Sequence, residues 1–204
     1  MIFAGSPAMI GGMPGPPEGA VLSCIACALL QYPILQADVG GGEIYDIRYL
    51  SNVNRDGIWA LSVTHQALSR NTNLLTHGIA NQVSGPGTKE LLYETVVGVS
   101  TIAASGAAFG TGPRSAGGKL DDYLTPLECR FCAEVSHAAS GLPLEKVNEI
   151  ANALLPKYED SIKDPNIGQI VHDVYDLEVF QPKPEWQKVY DEVKQEAIGL
   201  GIPL

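Results

Sequence analysis

The chain has 204 residues, 45% of them hydrophobic and 18% charged, with a formal net charge of −10. That length and composition describe one globular domain with a sizeable core, and the acidic balance argues against nucleic acid or an anionic membrane as partner. The N-terminus carries no Lys or Arg before Arg48, so it is not a signal peptide, no apolar run of about 18 residues offers a membrane span, and a cytoplasmic protein is expected.

Met1–Ala4 is a short apolar run that ends in Gly and Pro. A helix is predicted over Pro17–Gln31, with an early Pro and with Glu18 in the first turn, where the helix dipole favours an acid. Gly40–Gly42 reads as a break, Glu43–Leu50 as a strand, and Asn54 as the cap of a helix over Arg55–Arg70. Leu74–Ile79 is strand-like, Ser84–Gly87 a loop, and Thr88 caps a helix that runs to Ala104. Ala107–Gly110 is the next short strand, followed by a Gly- and Ser-rich loop to Asp122. Thr125-Pro126-Leu127-Glu128 carries a capping box with Pro at the first helical position, and this helix stops near Gly141. Pro143–Ile162 and Pro184–Ile198 are amphipathic helices with no strand between them. The cysteines pair as Cys24/Cys27 and Cys129/Cys132. Both pairs sit in helical patterns and lie too far apart for a compact zinc ribbon, so they read as small core hydrophobes and no metal is expected.

Four strand–helix units in succession argue for a parallel sheet, and short strands of apolar or small residues fit burial on both faces. The expected fold is the C-terminal half of a TIM-type (β/α)8 barrel over residues 1–141, with a C-terminal helical extension over 142–204. An open doubly wound sheet is the alternative. A half-barrel exposes two sheet edges, so an upstream half, another chain or self-association as a homo-oligomer is expected to close it.

Glu128-Cys129-Arg130-Phe131-Cys132-Ala133-Glu134-Val135-Ser136-His137-Ala138-Ala139-Ser140-Gly141, with Leu144-Glu145-Lys146-Val147-Asn148 in the same register, resembles a helix late in the monomethylamine methyltransferases. Val174-Tyr175-Asp176-Leu177, Lys188-Val189-Tyr190-Asp191, Gly11-Gly12, Asp46-Ile47-Arg48-Tyr49, Ser51 with Arg55, Gly85-Pro86-x-Thr88 and Ala104-Ser105-Gly106 extend the resemblance over nearly the whole chain. The resemblance implies a barrel enzyme that moves a methyl group from methylamine to the cobalt of a corrinoid carried by a partner protein, in methanogenesis, with no cofactor bound directly. It implies further that pyrrolysine, encoded by an amber codon, lies upstream of where Met1 aligns. An acidic active-site residue of the family aligns near Gly5, where this chain has no carboxylate. The chain is accordingly expected to be the tail of a longer protein, a divergent homologue without pyrrolysine, or one half of a two-chain barrel.

In a barrel of this kind chemistry belongs at the C-terminal ends of the strands. Arg48, Asn52, Arg55 and Thr88 are candidates for substrate binding, Arg48 as a charge inside an apolar strand. His77, near a strand end, could serve as a base, whereas His65, mid-helix, is expected to be structural. Asn81-Gln82 resembles a family pair whose Gln lies near the amine. The loop 110–119, with Arg114, Ser115 and Lys119, lacks the Walker order but could take a phosphate or dock the corrinoid protein. Beside the methyltransferase reading stand two others: a non-catalytic barrel fragment or assembly module, and a phosphate-ligand-binding α/β domain using that loop.

Overall fold

Four strands pair side by side in chain order in the computed structural model, which describes all 204 residues: β1 (Phe3–Ile10), β2 (Val39–Asp46), β3 (Thr76–Gly78) and β4 (Phe109–Gly110). All three pairings are parallel, with Phe3 opposite Val39, Gly40 opposite Thr76 and His77 opposite Phe109. Helices α1 (Pro17–Leu35), α2 (Arg55–Asn71) and α3 (Lys89–Ala104) make the crossovers, and α4 (Pro126–Ala139) follows the last strand.

The side on which each helix lies decides between the two expected topologies. A Cβ added at Gly40 would meet the Tyr32 ring of α1, one at Gly78 would meet His65 of α2 and Ile102 of α3, and one at Gly110 would approach Ser136 of α4. Residues 40, 78 and 110 share one face by the sheet register. All four helices therefore cover a single face, whereas a doubly wound sheet reverses its strand order and covers both. Consecutive parallel strands with one helical layer are half of a TIM-type barrel, and the uncovered face is the barrel interior.

Strand β2 differs from expectation. It begins at Val39, so Gly40–Gly42 are strand residues and not a break, and it ends at Asp46. Glycine is needed here because neighbours occupy the Cβ positions. At Gly42 a Cβ would lie 2.2 Å from Cys24 Sγ on the helical side, and at Gly41 it would lie 1.9 Å from His77 Nε2 on the interior side. Arg48 consequently falls in the turn after the strand and does not line the sheet.

Helix α1 corrects a second expectation. Its 19 residues reach a mean hydropathy of 1.5 over an 18-residue window, which is long and apolar enough to cross a bilayer. Here it packs on β1 and β2 through buried Ala20, Val21, Cys24 and Ala28, while Leu22, Leu30, Ile34 and Leu35 stay exposed.

The segment expected as one helix over 143–162 is α5 (Leu144–Leu154) followed by two 3-10 turns at 155–157 and 159–161. Pro156 has no N–H with which to continue the α-helical ladder. Then come one helical turn, α6 (Val171–Val174), and a small antiparallel hairpin of β5 (Tyr175–Asp176) and β6 (Gln181–Pro182) that the sequence pattern did not announce. The closing helix α7 (Pro184–Gly199) buries Trp186, Tyr190, Val193 and Ala197. These residues join Ile10, Ile44, Leu92 and Phe131 in one continuous hydrophobic cluster, so the C-terminal helices share the core of the strand–helix units.

Candidate active site in the barrel interior

Side chains alternate along a strand, so the interior face is read from parity. In β2 the helix-facing set is Gly40, Gly42, Ile44 and Asp46, which leaves Gly41, Glu43 and Tyr45 facing the interior. Phe3 and Gly5 of β1, His77 of β3 and Phe109 of β4 share that face through the register.

These residues form layers. At the N-terminal end of the strands the Phe3 ring lies 4.3 Å from the His77 ring and 6.5 Å from that of Phe109. Above them His77 lies over Gly41, with its Nε2 3.0 Å from the carbonyl oxygen of Ala4. A carbonyl only accepts, so Nε2 carries the proton and donates. The other ring nitrogen, Nδ1, is buried without a hydrogen-bond partner.

One layer higher stands Glu43. Its Oε2 accepts the Tyr45 hydroxyl at 2.7 Å, and the Tyr45 oxygen in turn lies 3.3 Å from Arg114 Nη1, which donates to it. Burial, with the hydrogen bond to Glu43 next, raises the Tyr45 phenol well above the ordinary tyrosine range, while the Arg114 charge opposes this. The second carboxylate oxygen, Oε1, faces the bare backbone of Gly5: a Cβ there would sit 3.2 Å from it and 3.6 Å from His77 Nε2. The interior wall thus presents a carboxylate with one oxygen tethered and one free, beside an imidazole and above an aromatic floor. Such a set suits a small cation with a polar N–H.

The loops above this wall are braced by most of the residues expected to act on substrate. Asp46, buried at the end of β2, accepts Arg48 Nε at 2.9 Å, Arg48 Nη2 at 2.5 Å and Asn54 Nδ2 at 2.9 Å. Burial works against the Asp46 carboxylate, but the Arg48 hydrogen bonds outweigh it and hold its pKa below the usual range. Arg48 also bonds Asp56 at 3.1 Å, so its charge is already met twice. Asn54 stands at the N-cap of α2 but spends its amide on Asp46 and makes no side-chain cap bond. Arg55 forms a fork with Glu159, at 2.7 and 2.9 Å, outside the interior.

Asn52 and Asn81 lock the loops after β2 and β3 together. Asn52 Nδ2 donates to the Ile79 carbonyl at 2.9 Å, the Asn81 N–H donates to Asn52 Oδ1 at 2.8 Å, and Asn81 Nδ2 donates to the Leu50 carbonyl at 2.6 Å. Gln82 is fully buried. Its Nε2 donates to Thr95 of α3 at 3.1 Å and its Oε1 accepts the Arg114 N–H at 2.8 Å. Thr88 caps α3, accepting the Leu91 N–H at 3.3 Å and donating to the Gly85 carbonyl at 2.7 Å. Ser115 is buried on Glu128 at 3.1 Å. In the loop 110–119 the backbone N–H groups of Arg114, Ala116, Gly117 and Lys119 all bond within the protein, so those four amides offer no cradle for a phosphate.

Of the expected residues, then, His77 and Arg114 face the interior constellation, Gln82 stands behind Arg114, Arg48, Asn52, Arg55, Thr88 and Asn81 hold backbone or ion pairs, and Ser115 bonds the Glu128 carboxylate. Glu43 and Tyr45 were missed. The signal was present as one acid in an otherwise uncharged glycine-rich run, but starting the strand at Glu43 hid its parity with Gly41. Glu94 was missed as well: fully buried, it accepts the Val83 N–H at 2.8 Å, the Ser84 N–H at 3.2 Å and the Ser84 hydroxyl at 2.6 Å, and burial pushes its carboxyl up to about 7.

A one-sided parallel sheet with its polar groups on the inner face and its loops at the C-terminal strand ends is half of a TIM-type barrel. Residues 1–202 match the family model of the monomethylamine methyltransferase MtmB, and the chain belongs to that family. It is 27% identical over 194 residues to the monomethylamine methyltransferase MtmB of Methanosarcina mazei, covering 95% of this chain and 42% of that protein. With MtmB1 of Methanosarcina barkeri it shares 28% identity over 156 residues, covering 76% of this chain and 34% of the relative. The crystal structure of Methanosarcina barkeri MtmB superimposes with a TM-score of 0.95 at 25% identity, over 100% of this chain and 44% of that one, and the crystal structure of a hydroxylamine MtmB complex matches equally. The chain spans less than half the length of these relatives and corresponds to their C-terminal portion.

Proposed function

We propose that this chain supplies the C-terminal wall of a barrel that transfers a methyl group from monomethylamine to the cobalt of a corrinoid held by a separate, cytoplasmic partner protein. The observation that carries this reading is the interior set of Glu43, Tyr45, Arg114 and His77 in a chain of this family. A protonated methylamine is a small cation with N–H donors, and Glu43 Oε1 is the free interior acceptor that faces it. The hydrogen bond from Tyr45, itself braced by Arg114, keeps Glu43 oriented. His77 lies one layer below Glu43, and Phe3 and Phe109 form the aromatic floor beneath it. The corrinoid would supply the nucleophilic metal that accepts the methyl group; this chain binds and orients the amine. The amide of Gln82 acts through Arg114, whose backbone it holds.

The outer edge of β1 has no strand partner, and exposed Leu22, Leu30 and Ile34 lie on the helix next to it. Both features support completion of the ring by upstream polypeptide or another chain. The test is reconstitution of a barrel from this chain and the N-terminal segment of the Methanosarcina mazei relative, with methylation of the partner's cobalt followed by absorbance. Methylation that depends on monomethylamine and falls about a hundredfold in Glu43→Gln is expected. A reconstituted barrel that forms but transfers no methyl group overturns the reading.

A further inference from the structure

Above the interior wall, at the C-terminal ends of the strands, lies a cavity of about 420 Å³ that the amine site does not use. Three segments build it, and each is pinned. The turn 47–50 hangs on Asp46, which accepts the Tyr49 and Leu50 N–H groups through its carbonyl and the Arg48 N–H through its carboxylate. The segment 116–120 is held by Ala116 N–H on the Ser84 carbonyl at 2.8 Å and Gly117 N–H on the Gln82 carbonyl at 2.7 Å. The strap 162–167 is tied down by Gly85 N–H on the Asn166 carbonyl at 3.0 Å, where Gly85 leaves room for the Ile167 backbone. The space is therefore preformed, as ligand cavities of this size generally are.

Its lining is apolar, with Ile47, Leu50, Val83, Leu120, Ile162 and Ile167, and contains no carboxylate. Three cations face it. Arg48 is already met by Asp46 and Asp56, but Lys119 and Lys163 form no ion pair. Eight of the 13 Lys and Arg side chains are ion-paired, and two of the remaining five, Lys119 and Lys163, line this one cavity. Lys119 bends back over Gly117, where a Cβ would lie 3.2 Å from its Cε, and this holds the lysine stem against the cavity wall. The nearby acids Asp121 and Asp122 face the adjoining hollow beyond Leu120.

We propose that this cavity binds an organic anion, an apolar body bearing one phosphate or carboxylate group, with the Lys119 and Lys163 ammonium groups taking the charge. The apolar side chains from the three segments enclose the body, and the spent amides of the 114–119 loop leave charge recognition to the two lysines. The site is built from the loops after the strands, and none of Glu43, Tyr45, His77 or Arg114 lines it.

The test titrates the full chain with phenyl phosphate, benzoate and, as neutral control, benzyl alcohol, following methyl and amide NMR resonances. Binding of one of the anions in the millimolar range or tighter, with shifts at Ile47, Gly117, Leu120 and Ile162 and none from benzyl alcohol, is expected. Lys119→Gln and Lys163→Gln should each weaken it by about tenfold, with melting temperatures unchanged, and raised salt should weaken it as well. Whichever anion binds more tightly identifies the charged group. No binding of either anion at millimolar concentration, equal binding in the lysine variants, or recognition only of an acidic peptide overturns the proposal.

Discussion

The His77 imidazole occupies the place where a side chain on Gly41 would stand, 1.9 Å between Nε2 and the Cβ position, while donating to the Ala4 carbonyl across β1. One residue of β3 thus reaches over β2 and hydrogen-bonds β1, tying three strands through a gap that only glycine leaves. Gly41→Ala should expel the ring and destabilise the fold by about 1–3 kcal/mol, as overpacking of a tight core does. A companion His77→Ala in the same chain should restore part of that loss. Thermal melts of the two single variants and the double variant check it: strict additivity would show that the two positions do not compete for the same space.

Two buried groups should oppose one another in the pH dependence of stability. Burial holds Glu94 at about 7 against an ordinary 4.5, so the folded chain keeps a proton that the unfolded chain loses; the resulting stabilisation is present below pH 4.5 and disappears as pH rises through 7. Burial, with the nearby His77 as a lesser cause, lowers His65 to about 4 from 6.5, so its contribution is present above 6.5 and disappears as pH falls through 4. Each is on the order of a few kcal/mol. Glu94→Gln should remove the first and expose the second. Denaturant titrations from pH 4 to 7.5 should show the variant losing stability relative to the parent chain as pH is lowered, and parallel curves for the two proteins would refute this account.

Much of the fold was legible in the sequence, because strand–helix alternation and cap chemistry are local. Thr88 and the Thr125–Glu128 box cap their helices as expected, the latter with the Thr125 N–H on Glu128 Oε1 at 2.6 Å. The interior site was legible only in part. The role of Glu43 depends on which way β2 faces, and that is decided by Cys24, Tyr32 and His77 filling glycine gaps from elements far away in sequence. Arg48 and Arg55 looked functional because a charge beside apolar residues does, but their partners Asp46, Asp56 and Glu159 emerge only once the chain is folded. The 19-residue apolar stretch of α1 was underestimated because Pro33 and the small residues obscure its length.

The Arg114–Tyr45–Glu43 chain predicts a spectroscopic response that needs no substrate. After burial, the Glu43 carboxylate is the main influence raising the Tyr45 phenol, and Arg114 pulls the other way. Glu43→Gln should therefore lower the Tyr45 pKa and Arg114→Met should raise it further. Carbon-13 NMR of labelled tyrosine during an alkaline titration reads both shifts. Movement of the two variants in the same direction would mean that the three side chains do not act as a relay.

Trp186 joins the closing helix to the start of α4. It is 1% exposed, lies in the common core and donates Nε1–H to Thr125 Oγ1 at 3.2 Å, while the same Thr125 hydroxyl bonds Glu128 inside the capping box. Trp186→Ala removes the packing and the hydrogen bond together and should cost about 3–5 kcal/mol. Trp186→Phe keeps most of the apolar volume and loses the donor, and its cost should stay closer to about 1 kcal/mol. Thr125→Val removes the acceptor and the cap from the other side, so its cost should exceed that of Trp186→Phe by about the worth of an N-cap, roughly 1 kcal/mol. Fluorescence adds an independent reading, since Trp59 is 44% exposed: the short-wavelength emission should belong to Trp186 and vanish in Trp186→Phe. If Trp186→Ala melts like the parent chain, the closing helix is not anchored through this contact, and α7 is held instead by the Glu134 cluster. There burial opposes ionisation, but hydrogen bonds from Lys194, Tyr190 and Arg130 draw the carboxyl down to about 2.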